Sequence, residues 1–360
     1  MSSRAQMAEH LSMSPSSPTK TFVLEVHPQG DPVAFLESFM EQGRLVATDD
    51  AYLFRLQTAD GDFWVDQLDG RFWSFHTDMP TGVAAAYLNK QVSARRDLDW
   101  LWLPSEHLRE PWPGAQRRKT RVRFDGSKLL RDSSSEMDDL KLQASGGGAA
   151  LLDEYLHAKG LRSAAAYDAV EVVVADDEFG TVREGVNRKG RFAVSGTSPE
   201  LHFQFVQNIV DRYRSLVLLC ERKSISWTPL DGPGNDIGAQ LKGGPIGIRF
   251  SRSIPDLEAF VEELFSSRDP FRLWGTPRLS ASSDIAEVEA VDLHVGEQLS
   301  FDIGEQWMRV YLNSGGCGNT IARLVSNLQY RFDAALSFTD PELQAALMAS
   351  PIGPSTAARA

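Results

Sequence analysis

Few residues in this chain are arranged so that their types and spacing suggest chemistry. The richest junction is Asn313-Ser314-Gly315-Gly316-Cys317-Gly318-Asn319-Thr320, a glycine-rich passage from a strand pattern into a helix pattern. A cysteine at a helix N-terminus gains thiolate character from the free amides there, which makes Cys317 the candidate nucleophile. No base is assigned to it, because His294 belongs to a separate predicted strand. The junction has the glycine content of a phosphate loop without its grammar: it lacks a Gly-Lys-Ser/Thr ending and a G-x-G-x-x-G spacing. No residue is therefore predicted to be catalytic, and an enzyme built around Cys317 is one of three functional readings.

Positive charge concentrates in two places. In Arg117-Arg118-Lys119-Thr120-Arg121-Val122-Arg123-Phe124, strand alternation puts Lys119, Arg121 and Arg123 on one face, a spacing able to follow phosphates. Charges that keep a sheet edge from pairing would give the same pattern. Arg188 and Lys189 sit in a second basic stretch, Asn187-Arg188-Lys189-Gly190, which reads as a hairpin tip. These five residues carry the nucleic-acid reading. Net charge −12 works against it, since affinity for a phosphate backbone comes mainly from Lys and Arg. Ser195-Gly196-Thr197-Ser198-Pro199-Glu200 could offer amides to an anion, but Ser-Pro-Glu is already a complete helix start.

The seven histidines fall into no H-x-x-x-H or H-E-x-x-H pattern, and the two cysteines, Cys220 and Cys317, are far apart. Neither metal nor cofactor is predicted on that basis. Acidic pairs such as Asp49-Asp50 and Asp176-Asp177 lie at turns and read as solvated.

Aromatic residues carry the remaining signal. Phe63-Trp64 and Phe72-Trp73 are adjacent on strands, so one member of each pair faces away from the other. The face left over must meet another part of the chain, a partner or solvent, and exposed apolar patches usually mark contacts. Trp64, Trp73, Trp100 and Trp102 are accordingly assigned to partner binding, with another protein as the expected partner. The functional expectation is a non-catalytic protein-binding or scaffold protein.

The elements that must position these residues recur in one order. A strand at Phe22 to Val26 leads to a helix opened by Asp31-Pro32, then three strand patterns joined by Asp60-Gly61 and Asp69-Gly70 turns, a second helix from Thr81 and a strand from Leu98. The same order returns from Asp139 and again from Ile246. The expected fold class is α+β, with tandem β-α-β-β-β-α-β units, each an antiparallel-rich sheet carrying two helices on one face. The boundaries read as a disordered leader (1–20), a first unit (21–116), a second (117–228), a linker (229–245), a third (246–345) and a disordered tail (346–360). With 360 residues, each unit can bury its own core without disulfides, and two cysteines fit a reducing, cytoplasmic setting. No apolar run approaches the roughly 18 residues of a membrane span, so no membrane role is expected.

Overall fold

The computed structural model describes residues 4–11, 18–28, 30–39, 43–130, 139–231, 237–279 and 284–350. The chain is α+β, with large antiparallel sheets and helices packed against them.

The first sheet holds β1 (Thr19–Val26), β2 (Gly43–Ala47), β3 (Leu53–Thr58), β4 (Gly61–Asp66), β5 (Phe72–Thr77), β6 (Leu98–Trp100), β7 (Gln116–Asp125), β8 (Asp139–Ser145), β9 (Ala166–Asp176), β10 (Gly180–Asn187) and β11 (Arg191–Gly196). Its strand order is β2-β3-β4-β5-β1-β11-β10-β9-β7-β8, with β6 also on β1. Beside its neighbour β5, β1 pairs with two further strands: Thr19 to Phe22 with β11, and Leu24 to Val26 with β6. The sheet forks there. Strands β12 (Ser226–Asp231) and β13 (Ile237–Lys242) form a separate hairpin. The last sheet contains β14 (Ile246–Arg249), β15 (Leu273–Leu279), β16 (Ala286–Asp292), β17 (Gln298–Gly304), β18 (Trp307–Leu312) and β19 (Ser337–Phe338), in the order β15-β16-β17-β18-β14-β19.

The helices are α1 (Arg4–His10), α2 (Pro32–Glu37), α3 (Thr81–Ala94), α4 (Ser105–Arg109), α5 (Gly148–Ala158), α6 (Pro199–Arg222), α7 (Leu257–Leu264), α8 (Gly318–Arg331) and α9 (Pro341–Met348). Their starts are written in side chains. Ser198 accepts a hydrogen bond from Leu201 N at 3.2 Å, and Asp256 one from Ala259 N at 3.0 Å, satisfying amides that have no partner inside the helix. Among the described residues, no helix is long and apolar enough to cross a membrane.

Helix α8 ties the molecule together. Every residue from Gly318 to Tyr330 is buried, its polar side chains included. Its apolar side joins the core of the last sheet through Ile321, Leu324, Val325 and Leu328. On its polar side, the buried Arg323 pairs with Asp99 and Asp292, and Ser326 donates to Leu103 O at 3.1 Å. Charges this deep are tolerated only when paired and hydrogen-bonded, so the pairs hold the last sheet against the first in one register. Gly318 lets α8 start hard against α6, because a Cβ there would lie 2.1 Å from Val217 O.

The leader and linker expectations give way. Within residues 1–20, helix α1 is folded: Met7 and Leu11 pack on Leu53 and Trp64, and β1 begins at Thr19. Residues 229–245 contain β13 and part of β12. The predicted tail overlaps the end of α9, while 351–360 lie outside the described residues.

The tryptophan expectation is also corrected. Trp64, Trp73, Trp100 and Trp102 are each no more than 3% exposed. Trp64 lies under α1, Trp73 meets Phe35 edge-on at 5.5 Å, and Trp102 donates its indole N–H to Asp99 at 2.9 Å. Phe72, on the opposite face from Trp73, meets Tyr213 of α6. Both faces of this part of the sheet are covered by the chain's own helices, which leaves these residues no surface for a partner.

Candidate metal centre

Strand alternation places Thr21, Val23 and Glu25 on one face of β1, and His27 continues that face just past the strand end. Glu25 is fully buried, whereas His27 stands at the mouth of a cleft. From the last sheet, the turn after β16 brings in His294, whose backbone N–H donates to Asp292 Oδ1 at 3.1 Å. Asp292 is itself held by Thr320 and Arg323 of α8. Cys317 is the N-cap residue of α8.

One donor atom from each of Glu25, His27, His294 and Cys317 lies within 4.8 Å of every other. Glu25 Oε2 is 3.0 Å from His294 Nε2, and Glu25 Oε1 is 3.5 Å from His27 Nε2. Cys317 Sγ is 3.5 Å from both oxygens of Glu25 and 3.7 Å from His27 Nε2. Zinc bonds of about 2.3 Å to sulfur and 2.0–2.1 Å to nitrogen in a tetrahedron put ligand atoms roughly 3.3–3.8 Å apart; the Glu25–His27, Cys317–Glu25 and Cys317–His27 separations of 3.5–3.7 Å fall in that range, and the 3.0 Å between Glu25 and His294 is a hydrogen-bond distance.

Arg71 organises the carboxylate side. Its Nε donates to Glu25 Oε1 at 2.6 Å, and its terminal nitrogens clamp Glu221 of α6 at 2.6 and 3.1 Å. Glu221 in turn accepts from Gly318 N at 2.9 Å. Burial alone would push the Glu25 carboxyl up; hydrogen bonds from His27 and His294 and the charge of Arg71 outweigh it and hold the group well below its ordinary value. The Cys317 thiol is pushed well above its ordinary value by burial first and by Glu25 second, against the pull of Arg71. A free thiolate beside that carboxylate is disfavoured, so a helix N-terminus does not by itself make Cys317 a nucleophile. A cation bound between the two groups would remove the conflict.

His27, His294 and Cys317 line a cleft of about 890 Å³ whose walls include Arg95, Arg96, Glu297 and the Ser314-Gly315-Gly316 turn. A small molecule can reach the exposed edge of His27 from there.

The basic residues chosen from sequence are placed elsewhere. Lys119, Arg121 and Arg123 do share a face of β7, half-buried. Arg121 pairs with Asp168 at 2.5 Å, and Arg123 lies over the Tyr330 ring. Arg188 donates to Asn327 at 2.9 Å and stacks on Tyr330, while Lys189 lies over Trp102. Arg121, Arg123 and Arg188 are thus engaged within the chain.

Sequence reasoning found Cys317 and missed Glu25 and His27. The available signal was Glu25-Val26-His27 on a predicted strand: two ligand-type side chains at i and i+2 share a face. What it could not supply was distance, since Cys317 and His27 are 290 positions apart.

The fold and site together define an α+β protein with a Cys/His/His/Glu cluster at the base of an open cleft. The chain belongs to the family described as MJECL33-like protein, which matches residues 3–346. It is similar to the Uncharacterized protein MJECL33 of Methanocaldococcus jannaschii, 27% identical over 362 residues that cover 88% of this chain and 84% of the relative. No solved structure matches.

Proposed function

We propose that this protein binds one divalent transition metal of the zinc class through Cys317, His27, His294 and Glu25, and that the metal acts as a Lewis acid on a small molecule held in the cleft. The observation that carries this reading is the convergence of four ligand-type atoms within 4.8 Å of one another. A thiolate, two imidazoles and a carboxylate make a donor set suited to zinc and its neighbours. Charge supports it as well: with Cys317 ionised, three negative groups, Glu25, Glu221 and Cys317, face the single guanidinium of Arg71. A dication balances the remainder. Four protein ligands would fill a tetrahedron, so a molecule in the cleft would be polarised only by adding to the metal as a fifth ligand on the side of His27.

Metal analysis of purified protein by plasma mass spectrometry tests the reading. Wild type is expected to hold close to one equivalent of metal, and Cys317→Ser and His27→Ala little. Protein that stays metal-free after exposure to zinc and cobalt would defeat it.

A protein-binding role retains one support away from the buried tryptophans. Trp227 and Leu241 are cross-strand partners on the β12–β13 hairpin, 69% and 52% exposed. Replacing both by Ser would abolish capture of a partner under this second reading and leave metal content unchanged.

A further inference from the structure

A second cavity, of about 470 Å³, lies beside the first and shares Arg95 and Arg96 with it. Its lining is short of negative charge. Asp99 is already paired with Arg323 and lies 3.6 Å from Arg272, which leaves Asp269 as the uncommitted acid. Against it stand Lys189 and Arg96 in the lining and Arg191 alongside. Among the described residues none of these three forms an ion pair.

The ammonium of Lys189 points at an indole face rather than at an acceptor, 5.1 Å from the Trp102 ring centroid. Arg191 is in a similar position. Its guanidinium lies 4.5 Å over Trp100, one nitrogen donates to Asn89 Oδ1 at 3.0 Å, and its buried Nε has no hydrogen-bond partner. A buried donor left unpaired is destabilising, and poorly compensated cations in a partly desolvated cavity are more so. Burial first, then Arg188 and Arg191, push the Lys189 amine down to about 8. In a chain of net charge −12, Lys189, Arg96 and Arg191 face only Asp269 and the already paired Asp99 as counter-charge, an excess of positive charge that describes a seat for an anion.

We propose that this cavity binds the phosphate group of a small phosphorylated molecule, with Lys189 and Arg96 of its lining as the principal contacts and Arg191, stacked on the lining residue Trp100, adding positive charge alongside. A phosphate monoester carries about two negative charges at neutral pH and three acceptor oxygens, whereas a carboxylate carries one charge and two oxygens. Three unpaired cations match the former. Guanidinium and ammonium donors are the usual partners of phosphate. The inference does not depend on a metal in the neighbouring cleft.

The test uses inorganic phosphate as the probe and the full chain. Acetylation of Lys189 by acetic anhydride at pH 8, read by peptide mass spectrometry, is expected to slow several-fold in phosphate and to be unchanged in acetate of equal ionic strength. Calorimetry should show phosphate binding weakened at least ten-fold in Lys189→Met and unaltered in Cys317→Ser. Labelling that ignores phosphate would overturn the proposal. So would equal protection by acetate, which would assign the site to carboxylates, or undiminished phosphate binding in a folded Lys189→Met. Should that variant fail to fold, the labelling of wild type still decides. Loss of metal in Cys317→Ser with phosphate binding retained would separate this cavity from the metal reading.

Discussion

Two clusters of nearly the same side chains sit along one strand. At one end of β1 are Glu25, His27, His294 and Cys317; at the other, Thr21 Oγ1 bridges His76 Nδ1 at 2.8 Å and His202 Nε2 at 2.7 Å, and His202 Nδ1 meets Glu184 at 2.9 Å. Among the described residues no arginine hydrogen-bonds to the second cluster, and its Thr21, His76, Glu184 and His202 are each no more than 2% exposed. Burial raises the Glu184 carboxyl well above its ordinary value, and burial lowers His76 and His202 to about 3, with His202 adding to the effect on His76. It is a neutral hydrogen-bonded chain. In the first cluster, Arg71, His27 and His294 overcome the same burial and keep Glu25 ionised. Residue type alone did not decide which cluster could hold a cation; the fixed charge beside the carboxylate and the opening toward solvent did.

The contrast breaks most completely if a metal ligand is removed. Glu25→Gln should lower metal affinity more than about 100-fold, since even outer partners of ligands are worth 10–100-fold; equilibrium dialysis against zinc measures it. Glu184→Gln should leave that affinity unchanged.

Arg71→Met should make the first cluster resemble the second. With its guanidinium gone, Glu25 is a buried carboxylate lacking its principal counter-charge, and stability should fall by about 3–5 kcal/mol in urea unfolding at pH 7. A loss below about 1 kcal/mol would mean that Arg71 is not what keeps Glu25 ionised.

The neutral cluster has its own pH signature. The folded-state values of His76 and His202 lie below the unfolded value of about 6.5, so their contribution to stability is complete above pH 6.5 and is lost as pH falls toward about 3. Urea midpoints measured between pH 7 and 4 should decline, and His76→Asn should make the decline shallower.

The smallest effect belongs to Glu184→Gln. Glu184 is raised, so its contribution is favourable below its unfolded value and lost as pH rises. Replacing it by a neutral amide should leave stability at pH 7 equal or slightly higher, within about 1 kcal/mol. A large loss would show that Glu184 and His202 form a buried ion pair instead.

What could be read in advance follows from the range of the forces. Helix starts were legible at Asp31-Pro32 and Ser198-Pro199 because a cap is made by residues two or three apart. The meander strands were legible from their turns. Strand β2, with no fully buried residue, and β15, which carries Pro277 and leaves Trp274 and Leu279 exposed, have the weak alternation of edge strands and passed unnoticed. The tryptophans misled because both faces of their strands are covered: α2 and α3 pack over Trp73, while α1 covers Trp64 and α6 meets Phe72 on the other face, and α1 and α6 are remote from these strands in sequence. Cys317 was visible as a reactive type at a helix start, yet its partners come from β1 and from the turn after β16. In a site assembled across the interface that α8 seals, the one local spacing to read is the i, i+2 pair Glu25 and His27; the rest is long-range.

X-ray absorption at the metal edge of zinc-loaded protein would identify the ligand set. One sulfur is expected at about 2.3 Å and nitrogen and oxygen ligands at about 2.0–2.1 Å, with the sulfur shell absent in Cys317→Ser. Zinc bound with no sulfur in its shell, or the same shell in wild type and Cys317→Ser, would contradict the proposed ligand set.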